Sequence, residues 1–329
     1  MNTMHAPLIE VRDLRAWYPV RGGVANRVIS EVKAVNGVSF DVKHNEILGL
    51  AGESGSGKST IGRSIIRLNP HTSGQIRFKG ADLADFNSRE IHDFRRKVQL
   101  IFQDPYASLD PRMNVEEIVT EPLIVLGFPL SKRQRRQKAA ELLDMVSLSE
   151  AYLERRPSEM SGGQCQRVGI ARALAAGPEF IVADEPVSAL DVSIQAQITN
   201  LLGDLKERLG LSLLFISHDL ALMQYLSDRV AVAYLGKIME IGPSDQICSS
   251  PKHPYTEALL SAVPKFGEGH RAGKRIVLSG DAPNPISPPS GCVFRTRCPY
   301  AIGECAEIVP QLSERSPGHL SACIRTDVL

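Results

Sequence analysis

Nine consecutive residues, Gly52-Glu53-Ser54-Gly55-Ser56-Gly57-Lys58-Ser59-Thr60, satisfy every fixed position of the pattern G-x-x-x-x-G-K-[ST]. Glycines without a Cβ let backbone N–H groups turn inward around phosphate oxygens, and a following helix adds the partial positive charge of its N-terminus to the same spot. Lys58 would reach the terminal phosphates of a nucleotide. The Ser59 hydroxyl suits Mg²⁺, and the Thr60 hydroxyl an inner phosphate. A second chemical set ends the apolar run Phe180-Ile181-Val182-Ala183 with two carboxylates, Asp184 and Glu185. Asp184 is suited to water-mediated Mg²⁺ binding, and Glu185 to taking a proton from a water aimed at the terminal phosphate. A strand ending in an acidic turn is the plain alternative, but a phosphate loop independently calls for a carboxylate partner to its Mg²⁺. His218 closes another apolar run, Leu211 to Ser217. Such a histidine is often only a packing or hydrogen-bonding residue, yet at the same sheet edge it can point at the terminal phosphate. Tyr18, beside Trp17, could stack on a purine or equally serve as a strand aromatic in a small core.

These residues need elements to hold them. Glu46 to Ala51 reads as a short buried strand and Ile61 to Leu68 as a helix stopped by Asn69-Pro70, the strand–loop–helix context a phosphate loop requires. Leu8 to Val20 and Val32 to Val42, with a turn at Arg21-Gly22-Gly23, suggest an antiparallel β layer, and Gln75 to Lys79 a further strand. Asp82 to Val98 is a polar, mostly helical connection to a strand at Val98 to Phe102, which Gln103 follows directly. Helical patterns then run over Val115 to Val125 and Lys132 to Val146. Met160-Ser161-Gly162-Gly163-Gln164 opens the next helix, where Ser161 and Gln164 have capping-box spacing; by itself this pattern is usually only a cap, but just before an acidic strand the Ser161 hydroxyl and two glycine amides read as a second anion site. Ser188 to Asp191 leads into a helix over Ile194 to Leu209, ended by Gly210.

The 329 residues suffice for a full α/β core plus a smaller appended unit. With 38 Lys and Arg against 37 Asp and Glu, no global field recruits nucleic acid or an anionic membrane. The basic run Lys132, Arg133, Arg135, Arg136 and Lys138 has no aromatic platform beside it and reads as a solvated helix face. No apolar run approaches the roughly 20 residues of a spanning helix, and Met1 to Leu8 carries no secretory pattern. The expectation is a cytosolic chain in a reducing compartment.

Taken in order, GESGSGKST, Gln103, MSGGQCQR, FIVADE, SALD and His218 resemble the full motif set of the ATP-binding-cassette ATPases. The resemblance implies a RecA-like α/β core with an antiparallel β layer and a helical subdomain at about 104–178. In that family two subunits sandwich two ATPs head to tail, so Ser161, Gly162, Gly163 and Gln164 would serve the partner's nucleotide. Gln103 would approach Mg²⁺ and report to membrane subunits, and Asp191 would sit in the dimer-interface loop. The stretches Gln103 to Arg112, His253-Pro254-Tyr255-Thr256 and Pro289 to Pro299 narrow the likeness to oligopeptide and dipeptide importers, specifically their second, F-type ATPase subunit. Residues 7–243 would then be the nucleotide-binding domain and 244–329 a C-terminal extension. The implied partners are a D-type ATPase subunit, two transmembrane permeases and, indirectly, a periplasmic solute-binding protein, with no nucleic acid. The chain would sit as a peripheral subunit at the cytoplasmic face of the inner membrane. The competing readings are a soluble cassette ATPase acting on ribosomes or DNA, against which stand the single phosphate loop and the lack of heptads, and a phosphate-loop kinase, which leaves S-G-G-Q unexplained.

Four of the six cysteines, Cys292, Cys298, Cys305 and Cys323, crowd the tail, spaced x5, x6 and x17. A tail this short buries little apolar surface of its own, so a metal staple is expected. Structural zinc usually takes close C-x2–4-C pairs, and iron–sulfur clusters are less strict in spacing. The family resemblance, which includes importers with a C-terminal [4Fe–4S] cluster, points to the cluster, with zinc second and unligated thiols third.

Overall fold

The computed structural model describes residues 6–22, 26–263, 276–278 and 280–329. Gly23 of the expected turn and the first five residues of the N-terminal stretch lie outside the described residues. The chain divides into two compact units. One comprises Met1–Ile9, Val42–Ile47 and Phe78–Ile216, and the other Glu10–Asp41, Leu48–Arg77 and Ser217–Leu329.

In the first unit the strands Val98–Ile101, Phe180–Asp184 and Ser212–Ile216 lie parallel, with Phe180–Asp184 in the middle. Val98 pairs with Phe180 and Ile101 with Ala183 on one side, and Asp184 with Ile216 on the other. Every residue of the two strands FIVAD and SLLFI is buried, as expected of parallel strands covered on both faces. The register brings the carboxylates Asp184 and Glu185 to the C-terminal edge. The helices Val115–Val125, Lys132–Met145 and Gly162–Leu174 of this unit pack against one another. Each begins with a complete capping box, Asn114 with Glu117, Ser131 with Gln134 and Ser161 with Gln164. Such a box satisfies two of the N–H groups that a helix start leaves without intrahelical partners. Val119, Leu123, Leu142, Leu143, Val168 and Ile170 are all buried, each worth roughly 1.5–3 kcal/mol relative to exposure.

In the second unit the strand Ile47–Ala51 runs parallel to Arg229–Tyr234, pairing Leu48 with Arg229 and Ala51 with Val232. Arg229–Tyr234 turns back into the antiparallel strand Lys237–Pro243 through Leu235 and Gly236, both at positive φ (46° and 74°). That is the geometry of a two-residue hairpin whose twist matches its strands. Lys237–Pro243 in turn pairs with His319–Ser321, and that strand with Ser313–Ser316. A separate antiparallel layer places Ile9–Gly22 between Arg27–Val42 and Ser73–Phe78. Among the described residues no helix is long and apolar enough to cross a membrane.

The tail has a core to dock on. Phe294, fully buried, stacks edge-on to Tyr234 with ring centroids 5.3 Å apart and lies 5.2 Å from Tyr255, and these two rings are 4.7 Å from each other. Tyr255 belongs to the helix Pro254–Ser261, which His253 caps by accepting the Tyr255 N–H at its Nδ1. Nearby, the wholly buried Glu240 carboxylate meets His319 Nε2 at 2.6 Å and accepts the Lys252 N–H, while the Ser321 hydroxyl donates to the Lys252 carbonyl. Both bonds to Glu240 fall on Oε1, while Oε2 is buried with no hydrogen-bond partner among the described residues.

Candidate functional site

The phosphate loop lies in the second unit, between the strand Ile47–Ala51 and the helix Lys58–Ile65. Gly52, Gly55 and Gly57 all have positive φ (147°, 78° and 98°). A methyl group on Gly52 would stand 2.2 Å from the Ala233 carbonyl oxygen, and one on Gly57 at 2.2 Å from that of Ala34, whereas Gly55 has open space around it. The loop is thus closed on its protein side and open at Gly55. The Lys58 ammonium is nearly buried and donates to the carbonyls of Gly52 (2.8 Å) and Glu53 (3.0 Å). Ser56 is buried with its hydroxyl unpaired among the described residues, and its carbonyl accepts the Gly236 N–H of the hairpin turn. Ser54 is exposed, while Ser59 and Thr60 are half-buried in the first helical turn. An open glycine, a spare buried hydroxyl and a lysine at a helix N-terminus fit a bound phosphate chain.

Two further candidates lie in the same unit. His218 is exposed, one residue past Ser217, whose N–H donates to the Leu50 carbonyl, so the chain before His218 is tied to the strand that feeds the loop. Tyr18 stands on the strand Ile9–Gly22, and its hydroxyl accepts from the Asn69 side chain at 3.2 Å.

In the first unit Asp184 ends its strand buried, and Glu185 follows at φ 46°. For a residue with a Cβ this left-handed conformation is uncommon and costs of order 1–3 kcal/mol. It is held in place, because the Glu185 N–H donates to the Ile216 carbonyl and its own carbonyl accepts the Ser188 hydroxyl. Gln103, exposed two residues past the strand Val98–Ile101, donates its side-chain amide to the Glu185 carboxylate at 3.0 Å. A separation of 82 residues hides that pair from sequence reasoning.

The S-G-G-Q segment is also in the first unit. Ser161 is exposed at the N-cap, its N–H donating to Gln164 Oε1 at 2.9 Å, and the Gln164 amide donates to the Tyr152 hydroxyl at 2.9 Å. A methyl group on Gly163 would meet Ile194 at 2.7 Å, so the close approach of these helices requires the glycine. Asp191 is the exposed N-cap of the helix Val192–Leu209 and makes no capping bond with its side chain. The basic run on the helix Lys132–Met145 is a solvated face, with Arg136 paired to Glu116 and Glu154 and Lys138 to Glu141.

The tail cysteines correct an expectation. Among the described residues no group of three or more His, Cys, Asp or Glu side chains could hold a metal ion. The assignment of Cys292, Cys298, Cys305 and Cys323 to an iron–sulfur cluster is therefore withdrawn, and zinc has no support either. The four are free thiols around one small cavity with His253 and Phe294. Burial pushes the thiols of Cys292 and Cys323 up and that of Cys298 to about 11. The premise that failed is physical. The tail does not order itself but packs Phe294 into Tyr234 and Tyr255 and adds a strand to Lys237–Pro243.

Comparison with known proteins agrees with the motif reading. The ABC transporter family matches residues 35–188, and the family "Oligopeptide/dipeptide transporter, C-terminal region" matches residues 239–305. A Brucella ovis chain provisionally named a peptide import ATP-binding protein is 54% identical over 98% of this chain and 99% of its own. The oligopeptide transport ATP-binding protein AppF of Bacillus subtilis is 49% identical over 96% of each chain. Among solved structures, the dimeric post-hydrolysis state of the ATP-binding cassette MJ0796, bound to ADP and Pi, is similar with a TM-score of 0.64 at 31% identity, covering 72% of this chain and 98% of that one. Nothing in these likenesses supports action on ribosomes or DNA. The chain belongs to the ATP-binding-cassette ATPases and, within them, to the oligopeptide/dipeptide transporter family.

Proposed function

We propose that this chain is the ATP-hydrolysing subunit of a bacterial importer for peptides or similar small solutes, peripheral to the cytoplasmic face of the inner membrane. In this reading it pairs, as the F-type subunit, with a D-type ATPase and with two permeases that receive solute from a periplasmic binding protein. Residues 7–243 form the nucleotide-binding domain and 244–329 the transporter-type extension. Family membership over the two matched segments supports the reading, and so do the names of the relatives.

Lys58 and the loop amides hold the phosphates, with Tyr18 under the base. Ser59, Asp184 and Gln103 would hold Mg²⁺, which neutralises phosphate charge when bound. Glu185 accepts the proton of the attacking water, and His218 donates a hydrogen bond to the terminal phosphate. Ser161, Gly162, Gly163 and Gln164 cover the partner's nucleotide, and Asp191, next to the 82% exposed Val192, lies in the subunit interface. ATP drives the switch by binding the closed pair more tightly than the open one. The single observation that carries the catalytic assignment is the Gln103 amide on the Glu185 carboxylate at 3.0 Å, which joins a carboxylate base to the residue expected to report to the permeases.

The test is purification of the tagged chain from detergent-solubilised membranes of its own cell. Recovery with two integral membrane proteins and a second ATPase is expected. Recovery with ribosomes or DNA, and no membrane protein, would overturn the assignment.

A further inference from the structure

Glu53 poses an electrostatic problem. It places a carboxylate one residue after Gly52, inside a loop suited to a polyanion. Uncompensated, it would repel phosphate. The C-terminal extension supplies the compensation. Arg297, its side chain 9% exposed, sets Nη1 2.7 Å from one Glu53 carboxylate oxygen and Nη2 3.3 Å from the other. This is the bidentate fork in which an arginine–carboxylate pair is strongest and most directional. Burial opposes the guanidinium's charge, but the hydrogen bonds to Glu53 and Tyr234 more than offset it and its pKa is pushed up.

The rest of Glu53 is fixed as well. Its N–H donates to the Tyr255 hydroxyl at 2.9 Å, and its carbonyl accepts from Lys58. Tyr255 and Tyr234 belong to the aromatic cluster around Phe294, and the Arg297 N–H donates to the Phe294 carbonyl. The segment that carries Arg297 is therefore anchored by the same rings that anchor the loop. Every contact in this set lies within one compact unit.

We infer that Arg297 is a positioning residue of the phosphate loop, through which the C-terminal extension neutralises Glu53 and sets the loop for anionic nucleotide. The inference rests on the nucleotide reading of the loop proposed above. It gives the extension a role at the ATP site that none of the motif positions assigns.

The test is titration of the full chain with a fluorescent ATP analogue and Mg²⁺, comparing wild type, Arg297→Gln, Arg297→Lys, Glu53→Gln and the double variant Arg297→Gln/Glu53→Gln. Arg297→Gln should bind on the order of tenfold more weakly, and the deficit should shrink as salt is raised. Arg297→Lys should fall between it and wild type. The double variant should return to within about threefold of Glu53→Gln, since the offending charge is then gone. Arg297→Lys, which keeps the charge and loses the two-pronged contact, decides the matter if Arg297→Gln does not fold, since wild-type affinity in it would leave the fork without a role. Wild-type affinity in Arg297→Gln, a double variant as weak as Arg297→Gln, or a tenfold loss in Glu53→Gln would each overturn the inference. A wild-type chain that binds no nucleotide would overturn the nucleotide reading and this inference with it.

Discussion

Gly55 and Gly57 share a backbone conformation that a Cβ disfavours, at φ 78° and 98°, yet differ in what surrounds them. A methyl group on Gly55 meets nothing within 4 Å, whereas on Gly57 it meets the Ala34 carbonyl oxygen at 2.2 Å. Both alanine variants carry the left-handed strain of roughly 1–2 kcal/mol, and Gly57→Ala adds an overpacking cost of about 1–3 kcal/mol. Chemical denaturation should show Gly57→Ala to be the less stable of the two by that difference, and equal stabilities would contradict the backbone geometry. At Lys58 the expectation concerns affinity. Lys58→Ala removes the cation nearest the phosphates, so equilibrium binding should lose at least an order of magnitude in ATP affinity. Unchanged affinity would remove Lys58 from the site. These residues were legible because loop chemistry fixes their types at fixed spacing. The Gln103 contact to Glu185 and the Arg297 contact to Glu53 were not, because partners 82 and 244 residues apart leave no local pattern.

Helix starts read well from sequence for the same local reason. The serine of the Ser161/Gln164 box and the amphipathic runs from Val115 and Lys132 each act within a few residues, and the helices begin there. One helix is displaced at both ends: expected over Ile61 to Leu68, it spans Lys58–Ile65, ending early because Arg67 takes positive φ and the Arg63 carbonyl accepts the N–H groups of Leu68 and Asn69. The tail was misjudged because its apolar partners, Tyr234 and Tyr255, lie tens of residues upstream. Phe294→Ala should therefore cost about 3–5 kcal/mol, with proteolysis of the extension as a readout. A tail equally resistant without the ring would contradict the docking. His253 adds a pH signature to the same cluster. Burial depresses its pKa to about 3, against about 6.5 when unfolded, so the folded chain keeps it neutral while the unfolded chain takes up a proton. Its contribution is fully present above about pH 6.5 and is lost as pH falls toward 3. Between pH 7 and pH 5 wild type should lose about 2 kcal/mol more stability than His253→Asn, a variant able to keep the helix cap. Parallel pH profiles would show that His253 is not held neutral.

At the scale of the whole molecule, the chain displays S-G-G-Q at an exposed helix start and Asp191 at another. If these serve a partner subunit's nucleotide, a dilute preparation of the chain alone should hydrolyse ATP slowly and gain at least tenfold with the proposed membrane partners and second ATPase. High turnover by the dilute monomer would contradict the split site. The whole-chain class was legible from six ordered motifs, while the solute is not, because in the proposed importer the solute contacts would belong to the binding protein and permeases. The central claim is that Glu185 drives hydrolysis in a transporter. The most direct measurement is ATP turnover by the complex reconstituted in proteoliposomes, with wild type and with Glu185→Gln, whose amide fills the same space but cannot take the water's proton. The account predicts that Glu185→Gln retains ATP binding and loses at least a hundredfold in turnover, with solute uptake lost alongside. Turnover and uptake equal to wild type would contradict it.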